Sequence, residues 1–577
     1  MKSDANLTPM MQQYLEIKRE CGDAILFYRM GDFYEMFHED AVKASRILGI
    51  ALTTRDKGRE NPVPMCGVPF HSATSYISRL LAAGHKVAVC EQAPQDQGAR
   101  GLMRREVVRI ITPGTVLEDE HLDGERANYL MALWEDDNGG AAGIAFVDVS
   151  TGDFRATRVF TRSQLVSEIN RVNPREIVSS GGDVPCGPCP VTRVQDVMTQ
   201  ERAERVLNDH FGTVTVDGFG LKEAPEAVIA AAVALEYVRQ TCKEGLAHIS
   251  RLRFYNPHSF MMLGATTVRN LELFETITGT RGNTLFSILN QTRTPMGARM
   301  LADWMSFPLL DPATIDERLD AVDELVTSGD LLGALREALS GMPDMERITG
   351  RIAAASAGPR DMRALADGLS RVPHVVTLLE GVRSDLLKTT AGGIDAMEEL
   401  TDRIRRTLVE APPPRLGDAP CVADGVDGEL DELRAMRRDS RQWISSMEAR
   451  ERELSGIANL KIGYNKVFGY YIEISKAQAA RAPAHFIRKQ TLVNAERFIT
   501  PELKEYEARL LNAEAAIASI ERRIVGELRD AILPHVEAVQ KTVRMLARLD
   551  VLAALAVAAG KYGYTRPTVT DDRRIEI

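Results

Sequence analysis

The chain has 577 residues, of which 44% are apolar, 26% charged and 6% aromatic, and this composition excludes disordered, collagen-like and fibrous proteins. The length predicts several domains, and the net charge of −10 argues against a nucleic-acid partner for the chain taken as a whole. No apolar run approaches the roughly 18 residues that span a bilayer, and the N-terminus carries no secretory signal. The seven cysteines are scattered along the chain. We therefore expect a reduced, soluble, multidomain intracellular protein.

The first segment, residues 1–113, predicts a small mixed α/β unit. Thr8 and Pro9 have the N-cap and N1 chemistry of a helix start, and Gly22 suits the end of that helix. Strand-like residues 24–29 and a turn at 30–32 precede a helical pattern that places Phe33, Phe37, Ala41, Ala44 and Leu48 on one face. A second helix over 72–84 and a short strand over 86–91 complete the unit.

Residues 120–250 predict a second α/β unit. The alternating residues 143–159 read as a hairpin that turns at Ser-Thr-Gly-Asp. Helical patterns follow at 161–172 and 224–245.

From residue 256 to 410 the pattern is helical, and the proline-rich run 411–414 marks a boundary. Residues 429–454 predict a long charged helix, and 502–528 predict a second one. The second helix carries an apolar seam at alternating spacings of three and four residues, which is typical of coiled-coil packing; its members are Leu503, Tyr506, Leu510, Ala513, Ile517, Ile520, Ile524 and Leu528.

A basic segment lies between these two helices. Residues 461–500 carry seven basic and two acidic side chains, and residues 466–475 are strand-like. Two long helices with a basic, β-rich segment at their tip would form a lever that grips a polyanion. A solvated basic loop fits the charge pattern equally well, so the charge alone leaves both interpretations open.

Two motifs bear on catalytic chemistry. Cys186-Gly-Pro-Cys189 has the spacing of a thiol redox site, but the flanking glycines and prolines favour a surface loop over a redox or metal function. No phosphate-binding G-x-x-x-x-G-K-[ST] sequence occurs, since Gly560-Lys561 is followed by Tyr562.

The sequence Asp32-Phe33-Tyr34-Glu35 allows two interpretations. Asp32 and Glu35 could form a helix capping box, with Phe33 in the core. Alternatively, Phe33 could project as a wedge between base steps, with Glu35 accepting a hydrogen bond from a base edge. These residues alone favour the capping box.

Six motifs change that preference because together, and in this order, they resemble the bacterial MutS family of DNA mismatch-recognition proteins. The motifs are FYRMGDFYEMF (27–37), PMCGVPFH (64–71), VRIITPGT (108–115), TPMGARML (294–301), KIGYNKVFGYYIEIS (461–475) and PELKEYE (501–507). The resemblance runs from about residue 8 to the C-terminus.

The resemblance implies a multidomain α/β plus α fold. It comprises two N-terminal mixed α/β domains, a helical core with long lever helices, and a small β-rich clamp inserted between the levers. The expected bounds are 1–113 for mismatch recognition, 120–250 for the connector, 256–438 with 500–565 for the core and lever, and 439–499 for the clamp. We expect an N-terminal portion without the family's C-terminal ATPase domain.

The resemblance also assigns site residues. Phe33 would stack on the mismatched base and Glu35 would hydrogen-bond it. Where many relatives have lysine before the last clamp asparagine, this chain has Val493, so one phosphate contact is expected to be missing or supplied by Lys466. The other DNA-binding candidates are Met30, Arg55, Lys57 and His71 in the first domain and Asn465, Lys466, Arg488, Lys489 and Asn494 in the clamp.

The implied function is binding of double-stranded DNA with mismatches or small loops to initiate mismatch repair. ATP, Mg²⁺, a homodimer and a MutL-type partner are implied for the intact protein, and no catalytic or metal-binding residue is expected in these 577 residues. The expected location is the cytoplasm, in association with the nucleoid. The alternative is a truncated, non-enzymatic protein that binds DNA or MutL without mismatch selectivity.

Overall fold

A computed structural model describes the chain except for twelve short stretches and, within one helix, the side chains of 440 and 441. The stretches are residues 1–7, 56–61, 93–102, 136–139, 182–183, 186, 188, 196–197, 243–244, 466–468, 573 and 577. The chain divides into two units. The larger unit contains Met1–Ala357, Asp367–Glu398 and Leu533–Ile577, and the smaller unit contains Gly358–Ala366 and Glu399–Ile532.

The larger unit begins with a sheet that carries helices on both faces. Its strand order is β3-β4-β2-β1-β5-β6, with β1 parallel to β5 and the other neighbours antiparallel. Leu26 and Tyr28 face α1, whereas Ile25 and Phe27 face α2 and α3, as the alternation of side chains along a strand requires. In chain order the elements are α1 (Pro9–Cys21), β1 (Ile25–Met30), β2 (Phe33–Phe37), α2 (His38–Leu48), β3 (Thr53–Arg55), β4 (Val63–Pro69), α3 (Ala73–Ala82), β5 (Val87–Gln92) and β6 (Arg105–Ile111).

The predicted start of α1 is confirmed. The Thr8 hydroxyl accepts a hydrogen bond from the backbone N–H of Met11 at 3.4 Å, and Pro9 is the first helical residue. Gly22 follows the last turn with a positive φ of 57°, a conformation that glycine adopts without a steric penalty.

The helix predicted from residue 33 onward is wrong for its first five residues. Phe33–Phe37 forms a strand that pairs with β1 and β4, and Tyr34 and Met36 enter the core on one face of the sheet. Asp32 lies in the turn between two strands, so the capping box that it would form with Glu35 is also wrong. Pairing with strands on both sides makes the side chains alternate between the two faces of the sheet, and this pairing overrides the helical spacing of the apolar residues.

The second sheet has the order β11-β10-β7-β8-β9-β12. The predicted hairpin is confirmed, since β8 and β9 pair antiparallel around a turn at 149–152. The helix at 200–211 was not predicted. In chain order the elements are β7 (Leu130–Glu135), β8 (Ala142–Asp148), β9 (Asp153–Val159), α4 (Arg162–Val172), β10 (Glu176–Ser179), β11 (Val191–Arg193), α5 (Gln200–Phe211), α6 (Pro225–Cys242) and β12 (Arg253–Phe254).

Helix α6 packs directly on this second sheet and is buried almost all round. The contact is close at Gly143 of β8, where an added Cβ would lie 1.9 Å from the backbone oxygen of Glu226. A glycine is therefore required at this position for the helix to approach the strand.

The rest of the larger unit is helical, as predicted, and α19 runs through its centre. α19 packs against α8, α9, α10, α11, α12 and α15. In chain order the helices of the larger unit are α7 (Ala265–Asn270), α8 (Leu285–Leu289), α9 (Pro295–Ser306), α10 (Pro312–Thr327), α11 (Gly329–Leu339), α12 (Met345–Ala353), α14 (Val372–Leu378), α15 (Asp385–Gly392) and α19 (Val536–Tyr562). Most of α13 (Pro359–Leu369) and of α16 (Glu398–Thr407) belongs to the smaller unit.

A buried carboxylate connects α19 to the start of α9. Asp550 is inaccessible to solvent and accepts hydrogen bonds from the backbone N–H groups of Arg293 and Thr294, both at 2.8 Å, and from the Thr294 hydroxyl at 2.6 Å. Burial raises the pKa of Asp550, and these hydrogen bonds oppose that shift.

The smaller unit contains two long helices and a sheet. The sheet is antiparallel, in the order β13-β14-β16-β15. The predicted apolar seam of the second long helix is confirmed from Ala513 to Leu528, where the seam residues are buried. The elements are α17 (Gly428–Ser455), β13 (Lys461–Asn465), β14 (Gly469–Ser475), β15 (Ile487–Thr491), β16 (Ala495–Ile499) and α18 (Pro501–Ile532).

The long helices contact each other at two places along their length. The rings of Trp443 and Tyr506 stack with centroids 3.6 Å apart and planes 8° apart. Arg523 of α18 also forms an ion pair with Asp427, the N-cap residue of α17, at 2.7 Å. The basic segment thus continues directly from two helices that pack on each other.

Candidate nucleic-acid interface

The turn between β1 and β2 presents an aromatic ring to solvent. Phe33 is the first residue of β2 and its side chain is 48% exposed. Met30 opposes it in β1 and Pro69 opposes it in β4. Gly31 closes the turn with a φ of +58°. The backbone of Phe33 is therefore fixed by strands on both sides, although its ring is uncovered.

Glu35 lies on the same face of the sheet as Phe33, two residues further along β2. Its carboxylate is half-buried and lies 3.5 Å from the guanidinium of Arg55. Burial raises the pKa of Glu35, and the charges of Arg55 and Arg105 oppose that shift. The face thus pairs an exposed aromatic ring with a hydrogen-bonding carboxyl group whose charge is disfavoured.

This face is open because α1 covers only the other end of β2. Phe37 is buried against Tyr14 of α1, with ring centroids 4.9 Å apart. Gly67, opposite Glu35 in β4, has no side chain that would cover the surface beside Phe33. An added Cβ at Gly67 would lie 3.9 Å from the Phe33 ring and 3.6 Å from Cγ of Glu35.

The other candidates of the first domain are placed around this face as far as they are described. Met30 and Arg55 adjoin Phe33 and Glu35, respectively. His71 is exposed and follows β4, with its ring against Phe70. Lys57 lies outside the described residues.

One neighbour of this face was not found from the sequence. Arg105 donates a hydrogen bond from Nε to the backbone oxygen of Arg29 at 2.8 Å, and its Nη2 lies 3.4 Å from Sδ of Met30. Its guanidinium also lies 4.9 Å from the centre of the Tyr28 ring. No signal in the sequence could have found it, because the contact joins residues about 75 positions apart.

The second group of candidates belongs to the sheet of residues 461–499, which we call the basic sheet. Its core consists mainly of Ile472, Ile474, Phe486 and Phe498. Arg488, Lys489 and Asn494 are exposed, and Asn465 is half-buried at the end of β13. Lys466 lies outside the described residues.

The cations of the basic sheet are of two kinds. Arg488 pairs with Glu496 at 2.8 Å and Arg497 pairs with Glu473 at 2.9 Å. By contrast, Lys461, Lys476, Arg481 and Lys489 have no carboxylate partner among the residues that the structure describes. The four cations therefore give the basic sheet an uncompensated positive charge.

Lys489 lies at an irregularity in the pairing of β15 with β16. The register of β15 against β16 shifts between Arg488 and Gln490, so Lys489 is the extra residue of a β-bulge. A bulge redirects a side chain relative to its strand. The adjacent turn exposes 87% of Val493 beside Asn494.

The Cys186-Gly-Pro-Cys189 motif lies between β10 and β11 along the chain. Cys189 is half-buried and its thiol donates to the backbone oxygen of Pro174 at 3.3 Å, and Cys186 lies outside the described residues. Within the part of the chain that the structure covers, no cluster of three or more His, Cys, Asp and Glu side chains could hold a metal ion. None of the described helices is both long and apolar enough to cross a membrane.

Comparison with known proteins identifies the class to which these domains belong. Residues 8–120 match the family model described as MutS domain I, residues 128–250 match MutS domain II, and residues 266–556 match MutS domain III. The match to domain III alone extends over half of the chain.

Curated relatives agree with these matches. The chain is 42% identical over 99% of its length to the DNA mismatch repair protein MutS of Halothermothrix orenii and covers 65% of that protein. It is 41% identical to the proteins of the same name from Lachnoclostridium phytofermentans and Syntrophobacter fumaroxidans, of which it covers 63% and 65%. The chain belongs to the MutS family, and it spans slightly less than two thirds of the length of these relatives.

Proposed function

We propose that the chain binds double-stranded DNA at mispaired or unpaired bases and thereby initiates mismatch repair. Its membership of the MutS family and the name of its relatives, DNA mismatch repair protein MutS, support this proposal. The structural observation that carries it is the exposed Phe33 ring with Glu35 beside it on a rigid strand.

In this proposal Phe33 acts as a wedge at the mispair. A mispaired step costs less to unstack and bend than a paired one, so an inserted ring selects mismatches through deformation energy and not through sequence. Such a ring must resist being pushed aside, and the pairing of β2 with β1 and β4 supplies that resistance. Met30, Arg55 and His71 would contact the DNA around it.

Glu35 would read the base that Phe33 unstacks. A carboxylate is repelled by phosphates, so its position beside the wedge suits a hydrogen bond to a base edge. Because burial already raises the pKa of Glu35, the carboxyl group is closer to a protonated form than an exposed glutamate would be. A protonated carboxyl can donate a hydrogen bond to a base as well as accept one.

The basic sheet would act as a clamp on the phosphate backbone, with α17 and α18 as its levers. Phosphate contacts provide affinity that does not depend on sequence, which a protein that scans for mispairs requires. The cations that have no carboxylate partner in the described part of the chain, Lys489 among them, are available for such contacts. Asn465 and Asn494 would add neutral hydrogen bonds to the same backbone.

The other properties expected from the resemblance are proposed for the whole protein. They are ATP and Mg²⁺ binding, a homodimer, a MutL-type partner and association with the nucleoid. We assign none of the described residues to them.

The test compares a duplex that contains one G·T pair with its matched counterpart. Phe33→Ala should abolish the preference for the G·T duplex, because a stacked aromatic ring contributes about 1–3 kcal/mol per base. Phe160→Ala is the matched control, since Phe160 is also exposed, at 57%, and lies in the larger unit. The control variant should keep the wild-type preference.

Two results would contradict the wedge assignment. The first is an equal loss of affinity for both duplexes in the Phe33→Ala variant. The second is equal binding of both duplexes by the wild-type chain, which would favour the alternative of a DNA-binding protein without mismatch selectivity.

A further inference from the structure

A cavity of about 630 Å³ lies within the larger unit, between the second sheet and the central helices. Its walls come from the turn between β8 and β9, the segment around residues 250–253, and helices α9, α10, α15 and α19. The volume is within the range of small-molecule sites. The candidate DNA-binding residues do not line it.

Three arginines that have no ion-pair partner among the described residues line this cavity. Arg318 comes from α10, and Arg544 and Arg548 come from α19. All three are half-buried, and no carboxylate lies within ion-pair distance of them in the described part of the chain. Arg544 and Arg548 are one helical turn apart, about 6 Å along the axis, so both are placed on one side of α19.

Each guanidinium is held in place while part of its hydrogen-bonding capacity stays unused. The central carbon of Arg318 lies over the Trp304 ring, 3.5 Å from the ring centre, an arrangement that leaves its N–H groups directed outward in the plane of the guanidinium. Arg544 donates to the backbone oxygen of Gln540 at 3.2 Å, and Arg548 lies 3.5 Å from the Thr390 hydroxyl.

Arg318 and Arg548 also repel each other. Burial, followed by the charge of Arg548, lowers the pKa of Arg318 to about 10. Burial lowers the pKa of Arg544 as well, with further contributions from Arg253 and Arg251. Such a group of like charges in a partly buried place is costly until an anion neutralises it.

The charges of Asp303, at Arg318, and of Asp153 and Glu346, at Arg544, oppose these pKa shifts without reversing them. Asp153 and Asp303 pair with Arg155, both at 2.8 Å, and Glu346 pairs with Arg299, also at 2.8 Å. Two lining carboxylates show no ion-pair partner among the described residues. Glu317 is exposed, whereas Asp148 is buried and accepts hydrogen bonds from the backbone N–H groups of Asn128 and Ser150. The free positive charge is therefore concentrated between α10 and α19.

We propose that this cavity binds a compact phosphate polyanion, held between Arg318, Arg544 and Arg548. Guanidinium groups bind phosphate oxygens through paired N–H donors, and two linked phosphates match two basic positions one helical turn apart. Two sources provide this chemistry, inorganic pyrophosphate and the diphosphate of a nucleotide. The site is independent of the DNA-binding proposal, because none of its residues belongs to the wedge or to the basic sheet.

The test titrates the whole chain with sodium pyrophosphate at constant ionic strength in a calorimeter, without DNA. We expect one bound pyrophosphate per chain and at least about tenfold weaker binding by Arg548→Gln and by Arg318→Gln, since each removes a charge-assisted contact. Lys541→Gln is the matched control, because Lys541 is an exposed cation on α19 that does not line the cavity. Glu317→Gln should bind more tightly.

The same titration with ADP distinguishes the two sources. Tighter binding of ADP than of pyrophosphate would identify a nucleotide, and the reverse would identify an inorganic phosphate. No binding of either anion, or equal binding by wild type and both arginine variants, would overturn the proposal. So would equal binding of sulfate, because a non-selective positive surface would give that result.

A second measurement separates loss of the site from loss of the fold. Without anion, Arg548→Gln should melt at or above the wild-type temperature, because the substitution removes repulsion with Arg318. With pyrophosphate, the melting temperature of the wild type should rise and that of the variant should not. A wild type whose melting temperature is unchanged by pyrophosphate would contradict the proposal.

Discussion

Replacing Lys489 by glutamine should weaken the binding of matched and mismatched duplexes alike. Lys489 is exposed at the bulge of the basic sheet and has no carboxylate partner among the described residues, so its charge is available to a phosphate. One phosphate contact contributes about 0.9 to the slope of log K against log salt. At 0.1 M salt, losing this contribution corresponds to about an eightfold loss of affinity, or about 1.2 kcal/mol.

Arg488→Gln is the informative comparison, because Arg488 already pairs with Glu496 at 2.8 Å and the side chain of Glu496 is only 7% exposed. Removing Arg488 leaves that carboxylate buried without its cation, so this variant should lose stability as well as affinity. Lys489→Gln should keep the wild-type melting temperature.

Fluorescence anisotropy over about 50 to 200 mM salt, with a labelled G·T duplex and its matched counterpart, measures both slopes. The ratio of the two affinities should stay the same in Lys489→Gln. An unchanged salt slope would refute the assignment of Lys489 to a phosphate contact. A loss of affinity confined to the G·T duplex would refute the expectation that this contact acts on both duplexes alike.

Two further predictions concern buried carboxyl groups of the larger unit. Because burial raises the pKa of Glu35 above its usual value of 4.5, the folded state holds this proton to a higher pH than the unfolded chain, and its stability falls as the pH rises through that range. Glu35→Gln should therefore melt above wild type at neutral pH, with a difference that shrinks below about pH 4.5; a difference that grows on acidification in thermal melts would contradict the sign. Asp550→Ala should lower the free energy of unfolding by about 3 kcal/mol in urea titrations, because two backbone N–H groups at the start of α9 lose their buried acceptor. Asp550→Asn keeps an acceptor and should cost less, so equal losses in both variants would show that the hydrogen bonds are not the cause.

Local chemistry in the sequence determined many elements of this protein. The cap at Thr8, the hairpin of β8 and β9, and the seam of α18 follow from interactions between residues a few positions apart. Such interactions are visible in a sequence because spacing along the chain sets which side chains meet. The six motifs likewise gave the family, and the net positive segment 461–500 gave the position of the basic sheet.

Only the tertiary structure decided the features that depend on distant partners. Phe33–Phe37 has a helical spacing of apolar residues, yet β1 and β4 hold it as a strand and thereby expose the Phe33 ring. Arg105 reaches Met30 from β6. Arg318 meets Arg548 from a helix more than 200 residues away. Long-range packing fixes which side chains converge, and no pattern within a short window of sequence encodes it.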